Sequence, residues 1–498
     1  MDNYEAIAQS IKEGPISQSG GEGVKVYEKS VSAHGNTTLV MIKEANTKFL
    51  LAIGEDSLYR DLEGTVIGSV KKCPLTHTNR LVMNRYFDYM VPRAFGTEIA
   101  TIGLGDRLGI ASPGHIQAVR GRDIRPILAQ QSIRELALTG RDYKQVMDAA
   151  AFAVFQEGYK DGFGADGDHL KVEADIQMAL ELGFTMLTLD CSEKIDNTIE
   201  GASLQELEEK YRSLPESVRS HYETRYLDQT FTVADVSVPF DRQTLIKNVL
   251  IYSQAIDYME HIYQTYIRQA SRAVDFEISI DETMTPTAPE SHYFVANELY
   301  ERGVAIYSMA PRFCGEFQKG IDYIGDLHQF EQELAIHASI ADKFGYKLSI
   351  HSGSDKFSVF ALIGQYTKGR FHIKTAGTNW LEAVRTVAGT NPSLYRRMHS
   401  YALAHFEEAK AYYHVTTDIS KIVPIDEVQD ADLADTYLNE NNARQLIHIT
   451  YGILLQAVDE QGKSLFRDEF YQTLSEQEEA FGQSLVTHIG KHLSLLGK

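Results

Sequence analysis

Cysteine is scarce. Three residues, Cys73, Cys191 and Cys314, stand far apart with no CxxC spacing, which excludes a disulfide framework and a cysteine-built zinc site. No apolar run approaches the ~18 residues of a membrane span. The N-terminus, MDNYEAIAQSIKEG, is a short amphipathic stretch with acidic residues rather than a signal peptide. Basic charge is also in short supply: 48 Lys and Arg against 69 Asp and Glu leave a formal net charge of -21. That balance argues against nucleic acid and anionic membrane surfaces, both of which reward a basic face. It leaves open an acidic small molecule, because a few Arg and Lys in one pocket oppose the global field locally. The expectation is a reduced, cytoplasmic protein. Its 498 residues, 43% hydrophobic, suffice for one large domain with additions or two to three ordinary ones.

Residues 1–95 read as an α+β unit in which TTLVMIKEANTKFLLAIG is a hairpin turning around Asn46 and Thr47. From about residue 96 to 425, apolar β-runs ending in polar residues alternate with helical stretches such as Tyr143 to Gln156 and His328 to Phe344. Eight strand ends are counted: TEIATIGLGDR, DGFGADGDH, FTMLTLDCS, AVDFEISIDE, GVAIYSMAPR, YKLSIHSGSD, RFHIKTAGT and AYYHVTTD. Eight is the number that closes a parallel barrel, so the fold expected is a (β/α)8 TIM-type barrel, with a doubly wound open sheet as the competitor. A charged helical insertion at about 195–265 follows a strand end. A lid, an interface element and a solvated helical hairpin are all compatible with it. Residues 426–498 form an acidic helical extension without a chemical motif; it packs under the barrel or pairs subunits, making a homo-oligomer one expectation.

Polar residues at the carboxyl ends of barrel strands share one mouth and can be read together. Asp168 stands directly before His169. Alone the pair is weak, since Asp-His dipeptides are common on solvated turns, but SIHSGSDKF adds His351 from another strand. Two imidazoles then hold a divalent cation (Zn, Mn, Ni or Co) while carboxylates move protons. Asp168 and Asp166 are the catalytic candidates. Glu282, where its strand breaks, is chosen both as a further catalytic carboxylate and as third metal ligand, ahead of Asp281, which alternation favours, and His414. His414 and His372 lie mid-strand, where a hydrogen-bonded interior histidine is at least as good a reading. Ser352 begins a small-residue run with room for an anionic group. Arg107, Arg312, Lys356 and Lys374 are expected to bind a substrate carboxylate or phosphate. The run IGLGDRLGIASPG lacks the spacing of a nucleotide-binding loop, and its Asp106-Arg107 pair reads equally as a tie within a barrel loop.

Five segments in order, GLGDRLGIASPGH, FGADGDH, SIDETMTPTAPESH, SIHSGSDKF and KTAGTNWLEA, resemble the tagaturonate epimerase family from about Gly103 to Asp418. The resemblance implies interconversion of two keto-uronates that differ at one hydroxyl-bearing carbon, D-tagaturonate and D-fructuronate, with relatives acting on tagatose and fructose. More distantly, the Asp-His pair and the His-Ser-Gly-Ser run are similar to class II aldolases. That likeness implies metal ligation by His169 and His351, proton transfer by Asp168, and inversion by retro-aldol cleavage and re-addition. Ser352 departs from the aldolase glycine, and no middle histidine matches. Two alternatives stand beside this reading: a glycoside hydrolase using Glu277 and Glu282, which alternation would point to opposite faces, and a non-catalytic sugar-acid-binding barrel or aldolase partner.

Overall fold

The computed structural model describes residues 3–13, 23–281, 283 and 285–498. The first unit is an antiparallel sheet of β1 (Val24–His34), β2 (Thr37–Glu44), β3 (Thr47–Ile53), β4 (Thr65–Ile67) and β5 (Val70–Pro74), in the order β1-β2-β3-β5-β4. The expected hairpin is β2–β3. Its turn falls one residue earlier than expected, at Ala45 and Asn46, because Thr47 already pairs with Glu44 and Ala45 takes the left-handed backbone at φ 51°. Alternation along β2 divides the sheet's faces: Val40 and Ile42 pack with Tyr4 and Ile7 of the first helix, while Leu39 and Met41 enter the main core.

The main core surrounds a closed parallel barrel of eight strands: β6 (Thr101–Leu104), β7 (Arg125–Ser132), β8 (Gly164–Leu170), β9 (Met186–Asp190), β12 (Asp275–Ile280), β13 (Ser308–Pro311), β14 (Lys347–Ile350) and β15 (Phe371–Thr375). The number expected is right, but one member is not. AYYHVTTD forms no strand, and His414 stands exposed near Glu316. Its place is taken by β7, RPILAQQS, whose apolar run is short and whose end carries amides rather than charges.

Two additions frame the barrel. The insertion after β9 contains helices Leu204–Ser213, Glu216–Tyr226 and Arg242–Ile262, but it is not wholly helical. Between them lies an antiparallel hairpin, β10 (Gln229–Val233) and β11 (Val236–Phe240), whose alternating aromatic and β-branched residues suit a strand. Phe231 stacks on Tyr293 of the barrel helix Pro289–Glu301, with ring centroids 4.7 Å apart. The insertion is therefore fastened to the barrel's outer layer.

At the other end of the chain, helices Asn441–Ile449, Arg467–Glu476 and Glu478–Leu495 share a second core with helix Thr378–Thr390, built on Trp380, Leu446, Tyr451, Phe470 and Leu485. The three cysteines are free and buried, and among the described residues no helix is long and apolar enough to cross a membrane.

Candidate active site

The carboxyl ends of the strands open into a cavity of about 470 Å³, lined among others by Asp168, His169, Asp281, His351, Ser352 and Lys374. Asp168 and His169 are neighbours on β8, and simple alternation would send them to opposite faces. A bulge resolves this. β8 pairs Gly167 with Leu187 and then Leu170 with Leu189, so two β8 residues, 168 and 169, oppose one on β9. His169 takes up the excess in a left-handed backbone at φ 52°, a conformation costing roughly 1–2 kcal/mol outside glycine. Both side chains thereby reach the cavity. Ser352, just past β14, is left-handed as well, at φ 49°.

His351 is oriented from behind. Its Nε2 meets Glu277 Oε1 at 2.8 Å, which leaves Nδ1 directed at Asp281 Oδ2, 3.2 Å away. His169 Nδ1 lies 3.5 Å from Asp190 Oδ2. Neither Nδ1 contact has hydrogen-bond alignment, so both nitrogens are buried without a hydrogen-bond partner. The two rings meet edge to face at 4.9 Å. Imidazole nitrogens bind Zn at about 2.0–2.1 Å, so rings this close can share an ion, with a carboxylate alongside. Two imidazoles and a carboxylate are the donor chemistry of a divalent-metal site, although among the described residues no three of these donors lie within 4.8 Å of one another, and the Glu277–His351 contact is the carboxylate support typical of metal-binding histidines. Asp281 is the described carboxylate facing the unpartnered Nδ1 of His351; Glu282 lies outside the described residues.

Lys374 forms the floor. Its Nζ contacts Asp168 Oδ1 at 2.6 Å, Asp166 Oδ2 at 2.8 Å, Glu277 Oε1 at 2.9 Å and the Thr188 hydroxyl. Burial pushes Asp168 up, but Lys374 and His169 overcome it and hold the carboxyl down at about 2. Asp166 behaves oppositely: burial, with Asp168 and Glu277 set against Lys374, raises it to about 6. For His351, burial works against the charged ring, yet Asp281 and Glu277 lift it to about 10. Asp168 is thus an ionised carboxylate facing the cavity, and Asp166 is a companion beneath Lys374 that does not line it.

The remaining expected residues divide. Ser352 lines the cavity and accepts from Lys319 Nζ at 3.1 Å. Arg107 also lines it, but two of its nitrogens bind Glu135 Oε1 at 2.6 and 2.9 Å, rather than Asp106, and its guanidinium stacks 3.9 Å over Tyr451. Asp106 instead caps the backbone N–H groups of Leu108, Gly109 and Ala111. Arg312 faces an adjoining cavity and donates to the Thr283 carbonyl. Lys356 does not reach the site, because its Nζ donates to the carbonyls of Gln318, Ile321 and Ser354. Glu277 is fully buried under Lys374 and His351, away from the cavity where a glycosidase acid would have to stand.

Lys319, His448 and Asp190 also line this cavity; the sequence assigns no role to the first two, and places Asp190 at the mouth without assigning it one. Asp190 ended a recognised strand and was legible; His448 comes from the C-terminal extension, where no local pattern marks it. Behind the SGSD loop, Asp355 accepts from Arg444 at 2.8 Å, and its N–H donates to His492 Nε2 at 3.0 Å. Asp355, His488 and His492 are the one described group whose donor atoms all lie within 4.8 Å, a possible metal-binding triad. Those atoms already partner Arg444 and one another.

The profile of the tagaturonate epimerase family matches residues 27–496. A Thermotoga maritima protein named tagaturonate/fructuronate epimerase is 41% identical over 485 residues, covering 96% of this chain and 98% of its own. The native crystal structure of a Cohnella laeviribosi fructuronate-tagaturonate epimerase is 64% identical and covers 99% of both chains, with a TM-score of 0.95. A complex of that enzyme with one glycerol gives 66% identity, coverage of 95% and 96%, and a TM-score of 0.94.

Proposed function

The chain belongs to the tagaturonate epimerase family and is a carbohydrate epimerase; from that premise we propose that it interconverts D-tagaturonate and D-fructuronate by retro-aldol cleavage and re-addition. The observation that carries the mechanism is the bulge on β8, which turns both Asp168 and His169 into the cavity beside His351.

The inverting carbon is β to the ketone, so its hydrogen is not acidified and direct deprotonation there is unfavourable. Asp168, kept ionised by Lys374, accepts the proton of the hydroxyl on that carbon. As the hydroxyl becomes an aldehyde, the bond to the carbon next to the ketone breaks and its electron pair passes into an enediolate. The aldehyde turns its other face, the bond re-forms, and Asp168 returns the proton. His169 and His351 would hold a divalent cation with Asp281 or Glu282, and that ion supplies Lewis acidity suited to a ketone oxygen. Glu277 and Lys374 fix the groups around the reacting atoms in a site pre-organised before substrate arrives.

Incubating metal-loaded protein with D-tagaturonate, D-fructuronate, tagatose and fructose, and following products by NMR, tests both activity and substrate. Deuterium on the inverting carbon is expected to stay in the product. Its washout into solvent would rule out the retro-aldol route and favour deprotonation.

A further inference from the structure

The cations expected at the mouth are already occupied. Lys374 serves three carboxylates, Arg107 serves Glu135, and Lys356 serves the backbone. Lys319, on the loop after β13, is different: it lines the cavity and donates to Ser352, and among the described residues no carboxylate lies within ion-pair distance of it. A half-buried ammonium without a counter-ion marks a place for an anion.

A second observation stands beside it. His448, from helix Asn441–Ile449 of the C-terminal extension, lines the same cavity, is 1% exposed, and has no partner for either ring nitrogen. Its ring fits between two glycines. A side chain at Gly377 would collide with it, and a Cβ at Gly320, next to Lys319, would lie 2.8 Å from Nδ1. Gly377 precedes helix Thr378–Thr390, whose first turn has no side-chain cap and so leaves N–H groups available at the cavity wall. Arg107 Nη1, buried in the same wall, is also without a partner. Burial, reinforced by the nearby charges of Arg107 and Lys319, keeps His448 neutral, so one of its nitrogens is an N–H donor.

We infer that Lys319, His448 and the amino end of helix Thr378–Thr390 form the subsite for the substrate's carboxylate, so that the C-terminal extension completes the substrate site. The inference rests on the keto-uronate reading above. It places the uncharged, reacting half of the substrate toward Asp168 and the two histidines, and the charged end toward the C-terminal helices.

The test compares equilibrium binding of D-fructuronate and uncharged D-fructose to wild-type protein, K319M, K319R and H448N, by ligand-observed NMR titration. K319M is expected to weaken fructuronate binding roughly 10- to 100-fold, the scale of one lost charge-assisted hydrogen bond. Fructose should change by less than about twofold, since it brings no charge to the subsite. K319R should retain most of the fructuronate affinity, and H448N should lose part of it. Because the readout is a ratio between two ligands on one variant, general loosening of the fold does not mimic it. Equal losses for both ligands, or unchanged fructuronate binding in K319M, would overturn the subsite. Absence of turnover in the wild type would overturn the proposed activity instead, and the binding ratio would still decide the subsite.

Discussion

Lys374 faces three buried carboxylates at 2.6, 2.8 and 2.9 Å, and its removal should be felt first in stability. K374M leaves Asp166, Asp168 and Glu277 facing one another without their cation. Breaking a buried pair from one side costs about 3–5 kcal/mol, so the urea midpoint should fall sharply, and adding D166N should restore part of it. An unchanged midpoint for K374M would contradict the ion cluster. D168N tests chemistry instead. Epimerisation should drop by roughly 10²- to 10⁴-fold, the usual contribution of a proton-transfer group, while metal content stays at the wild-type level by elemental analysis. At this scale much of the site was legible, since Asp168, His169, His351 and Lys374 are polar residues ending apolar runs. Their division of labour was not. Alternation gave no means of bringing neighbours 168 and 169 to one side, because a bulge depends on how two strands pair. The basic residues were likewise ranked by position, whereas Lys319 stands apart through the carboxylates it does not meet.

The elements between strands carry the next prediction. None of the described residues of the insertion at 195–265 lines the cavity, and its hairpin is held to the barrel's outer layer through Phe231 and Phe240. F240A removes a ring that is 1% exposed and should cost about 3–5 kcal/mol. At a temperature where the variant stays folded, kcat/KM should remain within about twofold of wild type, because a lesion on the outer layer leaves transition-state contacts intact. A large fall in kcat/KM with full folding by circular dichroism would restore the lid reading. The barrel was legible in the rhythm of apolar runs and helices. The strand β7 was not, for RPILAQQS ends in amides, and only its pairing with β6 at one end and β8 along its length makes it a strand, while AYYHVTTD has aromatic and β-branched residues but no strand to pair with. Composition reports what a segment tolerates, and pairing decides what it becomes.

Across the whole molecule, burial has fixed the charge of many histidines. His115, His337, His399 and His492 are pushed down to about 4 by burial and His372 to about 3, with His292 and His448 also far below the usual range. All seven are at most 1% exposed. In the unfolded chain each would titrate near 6.5. As pH falls from about 6.5 toward 4, the unfolded chain therefore takes up protons that the folded one refuses. Each such histidine lowers stability by about 1.4 kcal/mol per pH unit across that window. Depressed carboxylates such as Asp355 and Glu478 act in the same direction but only below about 4, where unfolded carboxyls begin to protonate. The two contributions are separated in pH. Urea midpoints measured at half-unit steps should fall steeply from pH 6.5 downward, before carboxylate titration begins. A midpoint that stays level to pH 4.5 would mean that these histidines are charged in the folded protein, and the neutral, buried His448 described above would then be wrong.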